Sequence, residues 1–148
     1  MGASAGPETL MQDPRVIWTE DVLRFRDTDR NGHINNSVFS VLCESGRVNL
    51  FGLKFDPLLR PGTFYVIARL VIDFRAELHY PGRVNTATWL NRVGRSSMGL
   101  KQAIVSEAGV AAESEAVCVL MDGETRRPTP LPDQMRRVAE EMVRPDPA

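Results

Sequence analysis

Cysteine, histidine and lysine are all scarce in this chain, and each scarcity excludes a kind of chemistry. Cys43 and Cys118 are the only cysteines; far apart and set among apolar residues, they read as buried thiols of a reducing compartment and not as a disulfide framework. His33 and His79 are the only histidines, and they form no zinc-ligand spacing with the cysteines, so no metal site is expected. Neither sign of charge prevails. Eighteen Lys and Arg against nineteen Asp and Glu leave a net charge of -1, which supplies no global field for a nucleic-acid backbone. Long apolar runs are missing too. Stretches such as Ala116 to Met121 fall far short of the roughly 20 residues that span a bilayer. The start, Met1 to Pro7, has no basic region followed by an apolar one, and Gly6 stands where a myristoylation signal has Ser or Thr. A cytoplasmic protein without nucleic-acid partner or membrane span is expected.

What is present describes one ordinary globular domain. The 148 residues suit a single core, and 43% hydrophobic with 25% charged residues is typical of soluble domains. Residues 1–14 and 144–148 are small, polar and Pro-containing, so they are expected to be loosely held around a single domain at 15–143. Val16 to Phe25 reads as a strand. From Ser37, Val38, Val41, Leu42, Val48 and Phe51 recur at helical steps, with Asn36 or Ser37 as N-cap and Gly52 as terminator. Few positions of this helix are charged, so other elements must wrap it. A strict alternation follows, with Phe64, Val66, Ala68, Leu70, Ile72, Phe74, Ala76 and Leu78 on one dry face. Three more strands, about 83–93, 97–107 and 110–121, follow at hairpin spacing. Pro132 opens a short helix striped by Met135, Val138, Ala139, Met142 and Val143. Strand, helix, four meandering strands and helix make an α+β domain whose antiparallel sheet covers one long central helix.

The least ordinary stretch is Asp27-Thr28-Asp29-Arg30-Asn31-Gly32-His33-Ile34-Asn35-Asn36, between the first strand and the helix. Asp27, Asp29, Asn31, Gly32 and Ile34 match the opening of a calcium-binding EF-hand loop, but Val38 occupies the position of the bidentate Glu, and a strand precedes it where a helix is needed. A metal-free reading uses the unpaired N–H groups at the start of the helix, which can stabilise an oxyanion. Asp29 beside them would activate water or attack an acyl carbon. The plainer alternative is that Asp27 and Asp29 make turns and offset the helix dipole. Pattern alone leaves both open.

Arg26-Asp27-Thr28-Asp29-Arg30-Asn31-Gly32-His33-Ile34-Asn35-Asn36-Ser37-Val38-Phe39 resembles the signature of the 4-hydroxybenzoyl-CoA thioesterase family of hotdog-fold acyl-CoA thioesterases. The likeness continues through Gly62 to Leu78, the hairpin strands and Arg127-Pro128-Thr129-Pro130-Leu131-Pro132. It implies a hotdog fold, with the sheet as bun around a long helix. It also implies a homodimer with one continuous sheet, often paired into a tetramer, and active sites across the dimer interface. By position the catalytic carboxylate falls on Asp29, and the N–H of Asn36 would point at the thioester carbonyl. Gly32 would keep the loop close to the thioester. Gly-His-Ile-Asn-Asn stands where the best-known branch is aromatic and so resembles the subgroup shared with fatty acyl thioesterases. Of that branch's three basic residues for coenzyme A phosphates, Arg95 matches, with Arg92 nearby.

Among single residues, His33 is placed to hydrogen-bond the substrate or to hold Asn35, while His79 reads as a turn residue. Sixteen arginines to two lysines suit phosphate recognition by planar forks. Glu44-Ser45-Gly46 lacks the glycine that opens a nucleophile elbow. The expectation is a cofactor-free, metal-independent thioesterase acting on an acyl-CoA or acyl-carrier-protein thioester. Asp29 would serve as general base or nucleophile and the Asn36 N–H as oxyanion donor, with Gly32, His33, Asn35, Arg92 and Arg95 binding substrate. Two rivals are a non-catalytic acyl-CoA-binding module on the same fold and a hydratase, which would need an acid paired with His33, for instance Glu44.

Overall fold

The structure is a computed structural model that describes residues 6–146. Expectations of loose ends fall partly on residues 1–5 and 147–148, which lie outside the described residues. The order is α1 (Pro7–Met11), β1 (Ile17–Leu23), α2 (Asn36–Lys54), β2 (Thr63–Phe74), β3 (Gly82–Val93), β4 (Ser97–Ser106), β5 (Gly109–Asp122) and α3 (Asp133–Met142). Among the described residues, no helix is long and apolar enough to cross a membrane.

Helix α2 forms because its sequence satisfies both its ends and one face. The side chain of Asn35 accepts the Ser37 N–H at 3.0 Å as N-cap, which supplies one of the partners a helix start lacks. Phe39, Leu42, Cys43, Gly46, Arg47, Leu50 and Phe51 are buried, a three-and-four spacing that lays one stripe on the sheet. The expected stop at Gly52 is two residues early. The helix runs to Lys54, and fully buried Phe55, whose N–H reaches the Phe51 carbonyl, anchors its end ahead of Pro57.

The strands pair in the order β1-β3-β4-β5-β2, all antiparallel. The expected meander holds for β3 to β5. Strand β2, however, pairs with β5 and not with its successor β3, because the chain after Phe74 crosses from one side of the sheet to the other. Strand β2 also ends before Ala76 and Leu78: the N–H groups of Arg75 and Ala76 both turn to the Ala111 carbonyl. A register shift between Ile67 and Arg69 breaks the alternation, so Ala68 is exposed where a dry residue was expected. A bulge of this kind re-aims side chains along a strand.

Beneath α2 the sheet carries a polar row. Thr88 on β3, Gln102 on β4 and Ser114 on β5 are register partners and all buried. The Gln102 amide donates to the Cys43 carbonyl at 2.8 Å and to Thr88 Oγ1 at 3.0 Å, and its oxygen accepts from Arg47 Nη1 at 3.2 Å. Helix and sheet approach this closely because residue 46 is glycine. A Cβ there would stand 2.5 Å from Thr88 Oγ1 and 2.7 Å from Gln102 Nε2.

The opposite sheet face is not bare. Leu10 of α1 is buried with Val16, Ala87, Trp89 and Ala103, a role that one leucine in a polar stretch does not announce in sequence. Asp13 ties the two ends of the domain together. Its carboxylate meets Arg15 at 2.8 Å and Arg144 at 3.1 Å, and hydrogen bonding by Arg15 holds its pKa down at about 2. On β1, one oxygen of Asp21 is buried without a partner, and desolvation pushes that carboxyl upward. Cys43 and Cys118 are buried free thiols.

Two outcomes follow from this packing. Gly46→Ala should lower stability by up to about 2 kcal/mol in chemical denaturation, because overpacking of about 1–3 kcal/mol is offset by only the roughly 1 kcal/mol gained in helix propensity. The depressed Asp13 contributes stability above its unfolded pKa, lost as pH falls through about 2. Asp13→Asn should therefore be about 1 kcal/mol less stable than wild type at pH 7, with the gap closing on acidification between pH 4 and pH 2.

Candidate active site

The loop from β1 to α2 is held by its own backbone, and its two acids do different things. Asp27 Oδ2 accepts the Arg24 N–H at 2.8 Å, and its carbonyl accepts the Asn35 N–H at 2.8 Å, so Asp27 pins the two ends of the loop. Asp29 lies at the loop's centre. Its N–H donates to the His33 carbonyl at 2.7 Å, and its Oδ1 accepts the N–H groups of Asn31 at 2.8 Å and His33 at 3.1 Å. Gly32 makes this closure possible with φ of 79°, a left-handed conformation that favours glycine. Its Cβ position meets nothing within 4 Å, so within this chain Gly32 serves the turn itself. Ile34, 2% exposed, plugs the loop into the core, and its N–H reaches the Leu78 carbonyl at 2.8 Å.

The turn-making expected of the acids is thus present, but it uses only one oxygen of Asp29. Oδ2 accepts no donor from the described residues, and the Asn36 N–H, first of the helix, donates to no acceptor among them. Asp29, His33, Asn36, Phe39, Phe74, Arg75 and Glu77 line one depression of about 250 Å³. A fixed carboxylate with one free oxygen and an unused helix-start N–H therefore share a concavity. That pairing suits addition of an oxygen nucleophile to an acyl carbon.

The other site residues divide. The Asn35 side-chain oxygen is occupied by Ser37 N–H and Oγ, both at 3.0 Å, so its work in this chain is to start the helix. The His33 imidazole does not hold Asn35. Its Nε2 stands 3.3 Å from Glu77 Oε2, and His79 Nε2 approaches the same oxygen at 3.5 Å. The two histidine rings meet edge to face at 5.3 Å. Glu77 was missed in sequence because the alternation ran through it as strand. Glu44 does not pair with His33 but lines a separate cavity further along α2. Arg92 and Arg95 are not brought to the loop: they lie at the other end of β3 and in the turn beyond it, on the order of 30 Å away at the usual strand rise. Among the described residues, no group of three or more His, Cys, Asp or Glu is placed to hold a metal ion.

The chain belongs to the thioesterase-like superfamily, whose family model matches residues 23–138. It is 30% identical to a predicted thioesterase from Bacillus stearothermophilus, covering 89% of this chain and 99% of that one with a TM-score of 0.81. It is also 30% identical to a thioesterase from Thermus thermophilus solved with coenzyme A and Zn, covering 88% and 97% with a TM-score of 0.76. A DHNA-CoA thioesterase from Staphylococcus aureus, 21% identical, shares the fold over 86% of this chain and 87% of its own, with a TM-score of 0.75. No protein of curated function matches the sequence significantly. The five-stranded antiparallel sheet around α2 is the hotdog fold, and the protein is a thioester hydrolase.

Proposed function

We propose that the protein hydrolyses an acyl-CoA or acyl-carrier-protein thioester to a carboxylic acid and a thiol, at the depression between Asp29 and the start of α2 and without a metal. The observation that carries this reading is the division of labour within Asp29: Oδ1 is anchored by two backbone N–H groups, Oδ2 accepts no donor from the described residues, and Asp29 lines the same depression as Asn36, whose N–H is likewise unused among them. A thioester carbonyl seated on that N–H would present its carbon to Oδ2, or to a water that Oδ2 deprotonates. The tetrahedral oxyanion would be stabilised by the helix start. Coenzyme A bound to the similar Thermus protein supports the acyl-CoA reading. His33, whose Nε2 lies 3.3 Å from Glu77 Oε2, stands at the wall of the depression to hydrogen-bond the substrate. The two buried thiols support a cytoplasmic location.

The working unit in this reading is a homodimer joined through β2, paired again into a tetramer. Strand β2 is a twelve-residue outer strand with no neighbour on one side. Ile67, Val71 and Phe74 on it are exposed, as are Val41 and Val48 on α2. A long apolar strand edge of this kind invites another strand. A second copy would extend the sheet and bury these residues. It is also the means by which Arg92 and Arg95 would reach the coenzyme A phosphates of a site in another protomer.

Asp29→Asn keeps the Oδ1 acceptor and removes the base. It should lower kcat on acyl-CoA substrates about 10²- to 10⁴-fold with an unchanged melting temperature; retained turnover across aliphatic and aromatic acyl-CoAs would remove Asp29 from the reaction. Placing two charges on the outer strand, Ile67→Asp with Val71→Asp, should release monomers in sedimentation. A variant that keeps the wild-type mass would show that β2 is not the joint.

A further inference from the structure

Arg47 is a buried charge with no part in the chemistry at Asp29. It lies on α2 with 8% exposure, yet among the described residues it makes no ion pair within 4.0 Å and one hydrogen bond, to the neutral Gln102 amide. A guanidinium has five N–H donors, and a buried cation without compensation is strongly disfavoured. Its unused donors are not sealed off, since no Arg47 nitrogen is among the buried polar atoms left without a partner. Arg47 is one of the residues that line a cavity of about 300 Å³ between α2 and β2.

The walls state what this cavity accepts. Val48, Phe51, Val66 and Ile67 make it apolar, and Phe51 stacks on Tyr65 at 4.5 Å to close one side; Val48 and Ile67 are also exposed toward the proposed second copy, which would cover the open side. Tyr65 turns its hydroxyl to Met135. Glu44 and Asp56 complete the lining. An apolar ligand alone would leave Arg47 unpaired, while a carboxylate would face two other carboxylates. A hydroxyl satisfies both, because it accepts from the guanidinium and donates to a carboxylate.

The cavity and the Asp29 depression lie along the same flank. Phe39 meets Phe74 at 5.1 Å beside the depression, and Phe51 meets Tyr65 beside the cavity, so α2 and β2 run alongside each other between them. Arg47 is eleven residues beyond Asn36 in the same helix, about 16 Å at 1.5 Å per residue. An extended chain of about a dozen carbons covers that distance at the reach of an extended backbone.

We propose that Arg47 is a specificity-determining residue that reads a hydroxyl at the far end of the acyl group, so that the preferred substrates are medium-chain ω-hydroxyacyl thioesters. This rests on the hydrolase reading for the position of the thioester. The test compares dodecanoyl-, ω-hydroxydodecanoyl- and ω-carboxyundecanoyl-CoA on the wild-type protein, Arg47→Leu and Arg47→Lys. Wild type should favour the hydroxyacyl over the alkyl substrate by roughly 10- to 100-fold in kcat/KM, the range of a hydrogen bond to a charged group. In Arg47→Leu the ratio should fall to within about threefold of one, and Arg47→Lys should keep part of it. No preference in wild type, a stronger preference for the carboxylate, or a preference that survives in Arg47→Leu would each overturn the proposal. Should Arg47→Leu fail to fold, Glu44→Ala at an exposed position takes its place: it should weaken the preference, and an unchanged ratio would count against the proposal. Binding of the corresponding ketone analogues, with a methylene in place of sulfur, is measured by calorimetry on the same proteins. If wild type cleaves no thioester, the hydrolase reading falls by itself. The analogues then decide the Arg47 proposal alone, supported by the same hydroxyl preference and overturned by its absence.

Discussion

The contact between Gly46 and the polar row of the sheet governs the rest of the structure. Thr88 and Gln102 stand where any larger side chain at position 46 would clash, so the helix lies as near the strands as a backbone can. Gln102 then reaches the Cys43 carbonyl and the Arg47 guanidinium together. This fixes α2 in height and in rotation about its axis. Everything at its first turn inherits that position, including the capped Asn35 and the unused N–H of Asn36.

The loop before α2 obeys the same economy of backbone bonds. Most of its conformational demands are met within the loop, by Asp27 at its ends and Gly32 at its bend, while Ile34 ties it to the core and to the Leu78 carbonyl. Such a loop holds a carboxylate in place largely by its own backbone. The surroundings proposed to meet substrate are different in kind. They draw on residues distant in sequence, Glu77 against His33 at one place and Gln102 against Arg47 at another.

That contrast explains what was legible in the sequence. Helix α2 and strands β3 to β5 are written in local periodicity and turn residues, and the structure has them close to the expected bounds. The order of strands is not local: nothing between Phe74 and Gly82 records that β2 will sit beside β5. Alternation carried the eye through Glu77 to Leu78, whereas the strand ends when two N–H groups turn to Ala111. Leu10 gave no periodic signal because a five-residue helix has hardly more than one turn to display one. Asp29 stood out by resemblance, yet its separation from Asp27 in role needed the hydrogen bonds of both. The burial of Arg47 has no signal in the helix's own sequence, because it depends on the strands beneath.

The two margins of the sheet differ in a way that bears on how far association can go. On β1 the half-sunk carboxyl of Asp21 already has an oxygen without a partner. Another chain laid along that margin would shut the group away from the little water it still meets, at a further desolvation penalty. The far margin carries no such deterrent. A copy added at the β2 margin would present its own β1 outward, so a sheet extended in that way would end as a closed pair, where two sticky margins would give an open-ended fibre.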